Sequence, residues 1–358
     1  MRSVRRSDAG ANRTSALVLA LLLAATAALA GCSAAGQPVP PPPPPFAAEL
    51  SDEFAAVVQD VLPSVVEISQ PGSVGSGIVF DRDGHIVTNA HVVGTGKAFE
   101  VRFANSSTVR QATLVYSHPP EDLAVIKVQD GGSLVPARFG AARDMRVGDL
   151  VMAMGSPLGL ESSVTHGVVS ALGRTIPEPA EPEIGFPGTV LRQTIQTSAP
   201  INPGNSGGAL VNINHEVVGI PTLAAVNPSI GGAAPGVGFA IPGEIANDIA
   251  RQIVDNGRVV NSGRAAVGIT AVTVTDDTGQ PIGAGVAALD PNGPAAAAGL
   301  RVGDIITRIE GDEIRTAQDL QTRLAERRPG EAVRLTVKRP PAAEPLTITV
   351  TLGELPVT

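Results

Sequence analysis

Gly75–Val93 reads GSGIVFDRDGHIVTNAHVV, two short apolar runs, Gly77–Phe80 and Ile86–Thr88, on either side of Asp81-Arg82-Asp83-Gly84. Asp and Gly at the centre of such a stretch favour the tight turn of a β-hairpin. The same pattern continues outward. Segments at Ser64–Ser69, Glu100–Phe103, Gln111–Tyr116, Leu123–Val128 and Leu150–Met154 predict further strands. A second series runs through Ser163–Ser170, Leu191–Gln196, Ala209–Val211, Val217–Thr222 and Gly236–Ala240. Two sets of short strands punctuated by turn residues predict a mainly β double barrel or sandwich. Composition agrees: 40 Gly and 31 Pro, with 3% aromatic residues and no Trp, describe a turn-rich chain packed from small apolar side chains.

At 358 residues the chain exceeds the size of one hydrophobic core. Phe54, Val57, Val58 and Val61 recur at near-helical spacing and predict a helix over Phe46–Asp60 that Pro63 ends. Ile245, Ile249 and Ile253 predict a second over Ile241–Asp255, with Pro242 in its first turn and Gly257 as its stop. That helix closes the first folded unit. Beyond Val259–Gly263 a compact module follows, with strands expected at Ala265–Val274, Gly285–Leu289, Asp304–Ile309, Val333–Val337 and Leu346–Leu352. Helices are expected at Pro294–Ala298 and Thr316–Ala325. The expected organisation is therefore an export signal over 1–31, a linker over 32–45, a first domain over 46–258 and a second over 262–353.

Arg2, Arg5, Arg6 and Arg13 precede an apolar run, Leu17–Ala30, too short to span a bilayer, which takes roughly 20 residues. This is the layout of a secretory signal peptide. Cys32 is the single cysteine, so neither an intrachain disulfide nor a cysteine-based metal cluster is expected. Leu29-Ala30-Gly31-Cys32 resembles a bacterial lipobox, and by that resemblance Cys32 is acylated and tethers the mature chain to the outer face of the cell membrane. Ordinary secretory cleavage near Ala30 or after Cys32 is the alternative. The proline run Pro40–Pro45 suits a stiff extended spacer, or else a ligand for an aromatic-grooved partner. A net charge of −8 without a dense Lys/Arg patch argues against nucleic acid as a partner.

Gly204-Asn205-Ser206-Gly207-Gly208 carries the chemistry. A serine hydroxyl needs a neighbouring base and backbone N–H donors where a carbonyl oxygen becomes anionic. Gly204 lets its own amide and that of Ser206 point to one spot, and Gly207 and Gly208 leave room for a substrate backbone. Of five histidines, His91 alone ends an apolar strand and precedes an apolar turn. His85 and His118 read as turn residues, the former solvated, and His166 and His215 as loop residues. Asp122 immediately precedes Leu123-Ala124-Val125-Ile126 and is the candidate to orient the imidazole, with Glu121 as its rival. The chain order His, Asp, Ser is that of the chymotrypsin-type arrangement.

The strings GSGIVF, TNAHVV, DLAVIKV, INPGNSGGAL and GVGFAIP, in this order, resemble the HtrA/Deg family of trypsin-like serine proteases. The resemblance implies two six-stranded barrels and places the triad on His91, Asp122 and Ser206. The oxyanion hole falls on Gly204, Asn205 and Ser206, through the amides of the first and last. It also implies a pocket for small aliphatic side chains shaped by Ile201, Thr222 and Leu223, with no cofactor or metal. Three departures stand out: Ser198-Ala199-Pro200 where Asp-Ala is common, Ala209 where Pro is frequent, and a very short loop between Gln70 and Val74. Gly293–Ile306 is similar to a stretch of the PDZ domains attached to such proteases, which places a carboxylate-binding loop on Ala266, Val267, Gly268 and Ile269. Gln318, Leu320 and Leu324 would line its groove. The expected partners are unfolded exported proteins, peptide C-termini, the membrane through a lipid, and a homotrimer formed through Phe46–Phe54. A lipid-anchored chaperone or scaffold that holds peptides without cutting them is the competing class, and a protease dedicated to one membrane partner is a third reading.

Overall fold

The computed structural model describes residues 45–104, 108–129, 134–156, 163–202, 204–227, 232–342 and 344–357. The side chains of 45–47, 223–227 and 232–235 lie outside that description, as do Cys32, the signal segment and the prolines up to Pro44. The first helix, α1, spans Pro45–Val61. Its Val57 and Val61 are buried in the core with Phe54 and Val58 packed alongside, and Pro63 stands in a short 3-10 turn that follows.

Six strands then close into a barrel: β1 (Val65–Gln70), β2 (Ser73–Val79), β3 (His85–Thr88), β4 (Ala98–Phe103), β5 (Val109–His118) and β6 (Leu123–Val128). Their order is β1-β2-β3-β6-β5-β4. The Asp81–Gly84 turn joins β2 to β3 as the sequence predicts, with Gly84 at φ 97°. A second barrel, in the order β10-β11-β12-β9-β8-β7, comprises β7 (Leu150–Gly155), β8 (Ser163–Glu178), β9 (Thr189–Thr197), β10 (Ala209–Asn212), β11 (Val217–Asn227) and β12 (Gly232–Pro242). Two closed barrels, not a sandwich, are therefore what the repeated hairpins build.

Strand periodicity explains how the barrels pack. Successive side chains of a strand point to opposite faces. In β6, Ala124, Ile126 and Val128 fill the first barrel, while Leu123 and Val125 join a second cluster with Met152, Met154, Ala209 and Val211 of the other barrel. A helix over Gly243–Asn256 adds Ala246, Ile249, Ala250 and Ile253 to the same cluster and ends at Gly257, φ 70°. The seam between the barrels is thus as apolar as their interiors.

Two elements exceed expectation. Strand β8 runs eight residues past Ser170, because its pairing with β9 continues through register shifts to Glu178↔Thr189. Bulges of this kind let a strand bend without ending. The β11–β12 hairpin likewise extends to Asn227↔Gly232.

The last module has its own core, drawn entirely from residues between Ala265 and Leu352. The strand expected over Ala265–Val274 is broken at Val267-Gly268, φ 77° at Gly268, into β13 (Ala265–Ala266) and β14 (Ile269–Thr275). The sheet continues β14-β15-β16-β18-β19, with β15 at Pro281–Leu289, β16 at Ile305–Ile309, β18 at Ala332–Lys338 and β19 at Leu346–Thr351. Strand β17 (Asp312–Glu313) pairs with β16, and β13 with β20 (Gly353–Glu354). A helix over Ala317–Ala325 starts on a capping box made by Thr316 and Asp319, which satisfies two amide donors at its first turn.

Candidate active site

His91 lies in a single helical turn, Ala90–Val93, that follows β3. Asp122 stands at the mouth of β6, where the turn Pro119–Glu121 hands over to a left-handed residue at φ 49°, ψ 44°. That conformation is costly for a residue other than glycine and persists where the surroundings enforce it. Here they do. The buried carboxylate accepts from the His91 amide (2.9 Å, Oδ1), from His91 Nδ1 (2.9 Å, Oδ2) and from Thr222 Oγ1 (2.7 Å, Oδ2). Asn89 Nδ2 donates to the Asp122 carbonyl at 2.9 Å. An ionised carboxylate only accepts, so Nδ1 carries a hydrogen, and in the neutral ring Nε2 is the acceptor. Burial pulls His91 down, but the Asp122 carboxylate and its hydrogen bond, with Glu178 and Glu181, overcome this and raise the imidazole to about 9.

Ser206 comes from the other barrel, on the loop between β9 and β10. Its carbonyl accepts from the Ser76 amide at 2.9 Å, and the next amide, Gly207 N–H, donates to Pro221 at 3.0 Å. A Cβ on Gly207, φ 80°, would collide with the Ser76 carbonyl and the Thr88 hydroxyl, so the loop requires glycine there. The amides of Asn205 and Gly208 are spent inside the loop, on Asn202 and Asn205. Among the described residues, the amides of Gly204 and Ser206 enter no backbone hydrogen bond. The Ser206 hydroxyl donates to the Thr222 carbonyl at 3.0 Å.

Sequence reasoning missed Ser76. Fully buried on β2, its hydroxyl donates to the Gly204 carbonyl and accepts from the Ser156 amide (2.9 Å), and its carbonyl accepts from Thr88 Oγ1 (2.6 Å). It fastens the Gly204–Gly208 loop of one barrel to a strand of the other. The glycines on either side of it were the only signal.

Glu178 was missed as well. At the end of β8 it is 7% exposed, its Oε1 lies 2.8 Å from Thr222 Oγ1 and 3.7 Å from His91 Nδ1, and its buried Oε2 has no hydrogen-bond partner among the described residues. Burial and the neighbouring Asp122 charge push its carboxyl up to about 8. His91, Asp122 and Glu178 offer three ligand-type atoms within 4.8 Å of one another. The imidazole N–H and the Thr222 hydroxyl already link those atoms, so the group is a hydrogen-bonded chain and not a metal cage.

The other candidates fall elsewhere. Glu121, rival to Asp122, is buried on Arg192 Nε (2.9 Å) and Arg264 Nη1 (3.4 Å). His85 is buried in β3 with Nδ1 2.6 Å from Asp81, a correction to its expected solvation, because the hairpin folds the Asp81 carboxylate back over the ring. His118 ends β5 fully covered, and burial with the Arg264 and Arg192 charges lowers it to about 4. His166 is a strand residue opposite Met152, and His215 pairs with Asp60 at 2.9 Å. Ile201 is buried against Gly238. The Thr222 hydroxyl is turned to Asp122 and Glu178, and Leu223, whose side chain lies outside the described residues, pairs through its backbone with Phe239.

In the last module, β14 is a sheet edge beside a cleft of about 600 Å³ that also takes in Leu320, Gln321 and Leu324 and is walled on its other side by Pro119, Pro120 and Thr189 of the barrels. Gln321 lines it where Gln318 was expected, since a helix face repeats at three and four residues. The Val267 carbonyl accepts from Ala295 and that of Gly268 from Asp290. Across a trans peptide the amides of Gly268 and Ile269 therefore point away from the module body.

Residues 75–220 match the trypsin-like peptidase domain family and residues 265–352 the PDZ domain family. A crystal structure of a serine endoprotease from Yersinia pestis is 31% identical, with 85% of this chain and 98% of that one aligned at a TM-score of 0.55. The chain belongs to the HtrA-type trypsin-like serine protease family. The HtrA-type protease AlgW, solved with a decapeptide, aligns at TM-score 0.55 and 28% identity over 85% of this chain and 99% of that one. Among curated relatives, serine protease PepD of Mycobacterium tuberculosis is 38% identical over 83% of this chain and 65% of its own length. A probable periplasmic serine endoprotease of Brucella suis, DegP-like, is 38% identical over 78% of this chain and 53% of its own. The chain thus spans only about half to two thirds of these curated relatives.

Proposed function

We propose that this chain is a serine endopeptidase in which Ser206 attacks the scissile carbonyl. His91 Nε2 takes the hydroxyl proton and passes it to the leaving amine, while Asp122 holds the ring and stabilises the imidazolium. The observation that carries this reading is the bond between His91 Nδ1 and the buried, triply hydrogen-bonded Asp122, which leaves Nε2 as the acceptor. In the resting geometry Ser206 donates to Thr222, so attack begins when the hydroxyl leaves that carbonyl for Nε2. The amides of Gly204 and Ser206 then receive the oxyanion, with Asn205 setting their spacing, and Ile201 with the strand at Thr222–Leu223 shapes the pocket for a small aliphatic side chain.

The substrates are unfolded or damaged exported proteins, and the edge of β14 with the loop Ala266–Ile269 takes an exposed C-terminus as an added strand. Cys32 is the lipid anchor, and Phe46–Phe54 the contact for a trimer. Casein digestion tests the core of the proposal: Ser206→Ala abolishes cleavage with the circular dichroism spectrum unchanged. Retained cleavage assigns the chemistry to another residue.

A further inference from the structure

Hydrogen counting at Thr222 leads past the triad. Its hydroxyl has one hydrogen, yet Oγ1 lies 2.7 Å from Asp122 Oδ2 and 2.8 Å from Glu178 Oε1. Ionised carboxylates only accept. Two such contacts on one hydroxyl therefore need a proton on one of the two carboxyls. Asp122 has two N–H donors aimed at it besides Thr222, which favour its charged form. Glu178 has a buried, unpartnered Oε2, which favours its neutral form.

We propose that Glu178 is a positioning residue for the acid–base pair: as a carboxylic acid it donates to Thr222 Oγ1, which donates to Asp122 Oδ2, which accepts from His91 Nδ1. The proposal rests on the reading of His91 as the base. Its chemical content is a switch in the charge beside the imidazole. While Glu178 is neutral, Asp122 is the single anion in hydrogen-bond contact with the ring, and the ring releases its Nε2 proton at a lower pH. Loss of the Glu178 proton puts a second carboxylate 3.7 Å from Nδ1, and the ring then holds its own proton more tightly.

The direction of both shifts agrees with this, Glu178 rising through burial and the Asp122 charge, His91 rising against burial through its carboxylates. The charged groups acting on the imidazole are Asp122 from the start of β6, Glu178 from the end of β8 and Glu181 from the turn after it. Phe186 adds a ring edge at 5.9 Å. Arg192 and Arg264, the nearby cations on β9 and just before β13, are both committed to Glu121.

The test is a titration of the His91 ring by nitrogen NMR in the Ser206→Ala protein, with and without Glu178→Gln, beside pH profiles of kcat/KM in the active protein. Glutamine keeps a donor for Thr222 and cannot ionise. At pH 6, where Glu178 is itself a neutral acid, the two proteins are expected to behave alike; they part as Glu178 ionises, and the His91 midpoint and the acid limb, which lie above that point, fall by up to about one pH unit in Glu178→Gln. Glu178→Leu gives the same direction and stands in should glutamine fail to fold. A purely structural role would lower stability and leave both midpoints in place, and that outcome overturns the proposal. The NMR titration reports on Glu178 even if the protein proves to cleave nothing, so failure of the protease reading is told apart from failure of this one.

Discussion

Glu121→Gln is the perturbation whose cost the structure states most directly. The Glu121 carboxylate is 1% exposed and sits between two guanidinium groups whose side chains are 15% and 11% exposed, at 2.9 Å from Arg192 and 3.4 Å from Arg264. Both arginines are further committed to main chain: Arg192 to the carbonyls of Ser262 and Gly263, Arg264 to those of Pro120 and Val190. The cluster thus ties the segment leading into β13 to the turn carrying Asp122. Removing one member of a buried charge group costs about 3–5 kcal/mol, since the partners stay buried and uncompensated. Here two like charges are left facing each other. With a urea m-value of about 2 kcal/mol/M, the midpoint falls by about 1.5–2.5 M. The assay is urea unfolding with and without Glu121→Gln, both in the Ser206→Ala background so that each sample lacks the proposed nucleophile. A fall of less than about 0.5 M would refute the reasoning, because it would mean solvent reaches the arginines and compensates them.

Two further expectations come from the same region. His118 is held neutral by burial and by both arginines, with a folded value near 4 against 6.5 unfolded. Its contribution to stability is complete above pH 6.5 and is lost as pH falls toward 4, so His118→Asn flattens stability over that window by on the order of 3 kcal/mol, measured as urea midpoints at pH 4.5 and 7. Asp122→Asn leaves the fold intact, because an amide still fits among its donors, but allows the wrong imidazole tautomer. A drop in kcat of about 10⁴ is expected, and a loss of tenfold or less on a peptide substrate would remove Asp122 from its assigned place.

Most of the frame was legible because local signals and global packing agree. The Asp81–Gly84 turn, the exclusively apolar Leu123–Ile126 and the Ile245, Ile249, Ile253 stripe each admit one structure, and each adopts it. His91 and Asp122 were legible because each borders such an element. Glu178 was not. It lies in Ile176-Pro-Glu-Pro-Ala-Glu-Pro-Glu, a proline-broken acidic stretch that reads as a solvated loop, and only pairing with Thr189 across β9 carries it into the site. Ser76, and the place of Thr222 beside Asp122, were hidden for a related reason. Their hydroxyls act across the barrel seam on residues a hundred or more positions away, 128 for Ser76 and 100 for Thr222, and no local pattern encodes a partner at that distance. His85 misled in the opposite sense, since its turn context concealed a strand position whose ring is covered by Asp81.

The central claim is that one serine hydroxyl is made nucleophilic by one imidazole. Incubating the purified chain with a fluorophosphonate and mapping the adduct by mass spectrometry tests it directly. Phosphonylation confined to the peptide containing Ser206, and lost in His91→Ala, is the predicted result; no adduct at Ser206, or equal labelling without His91, would contradict it.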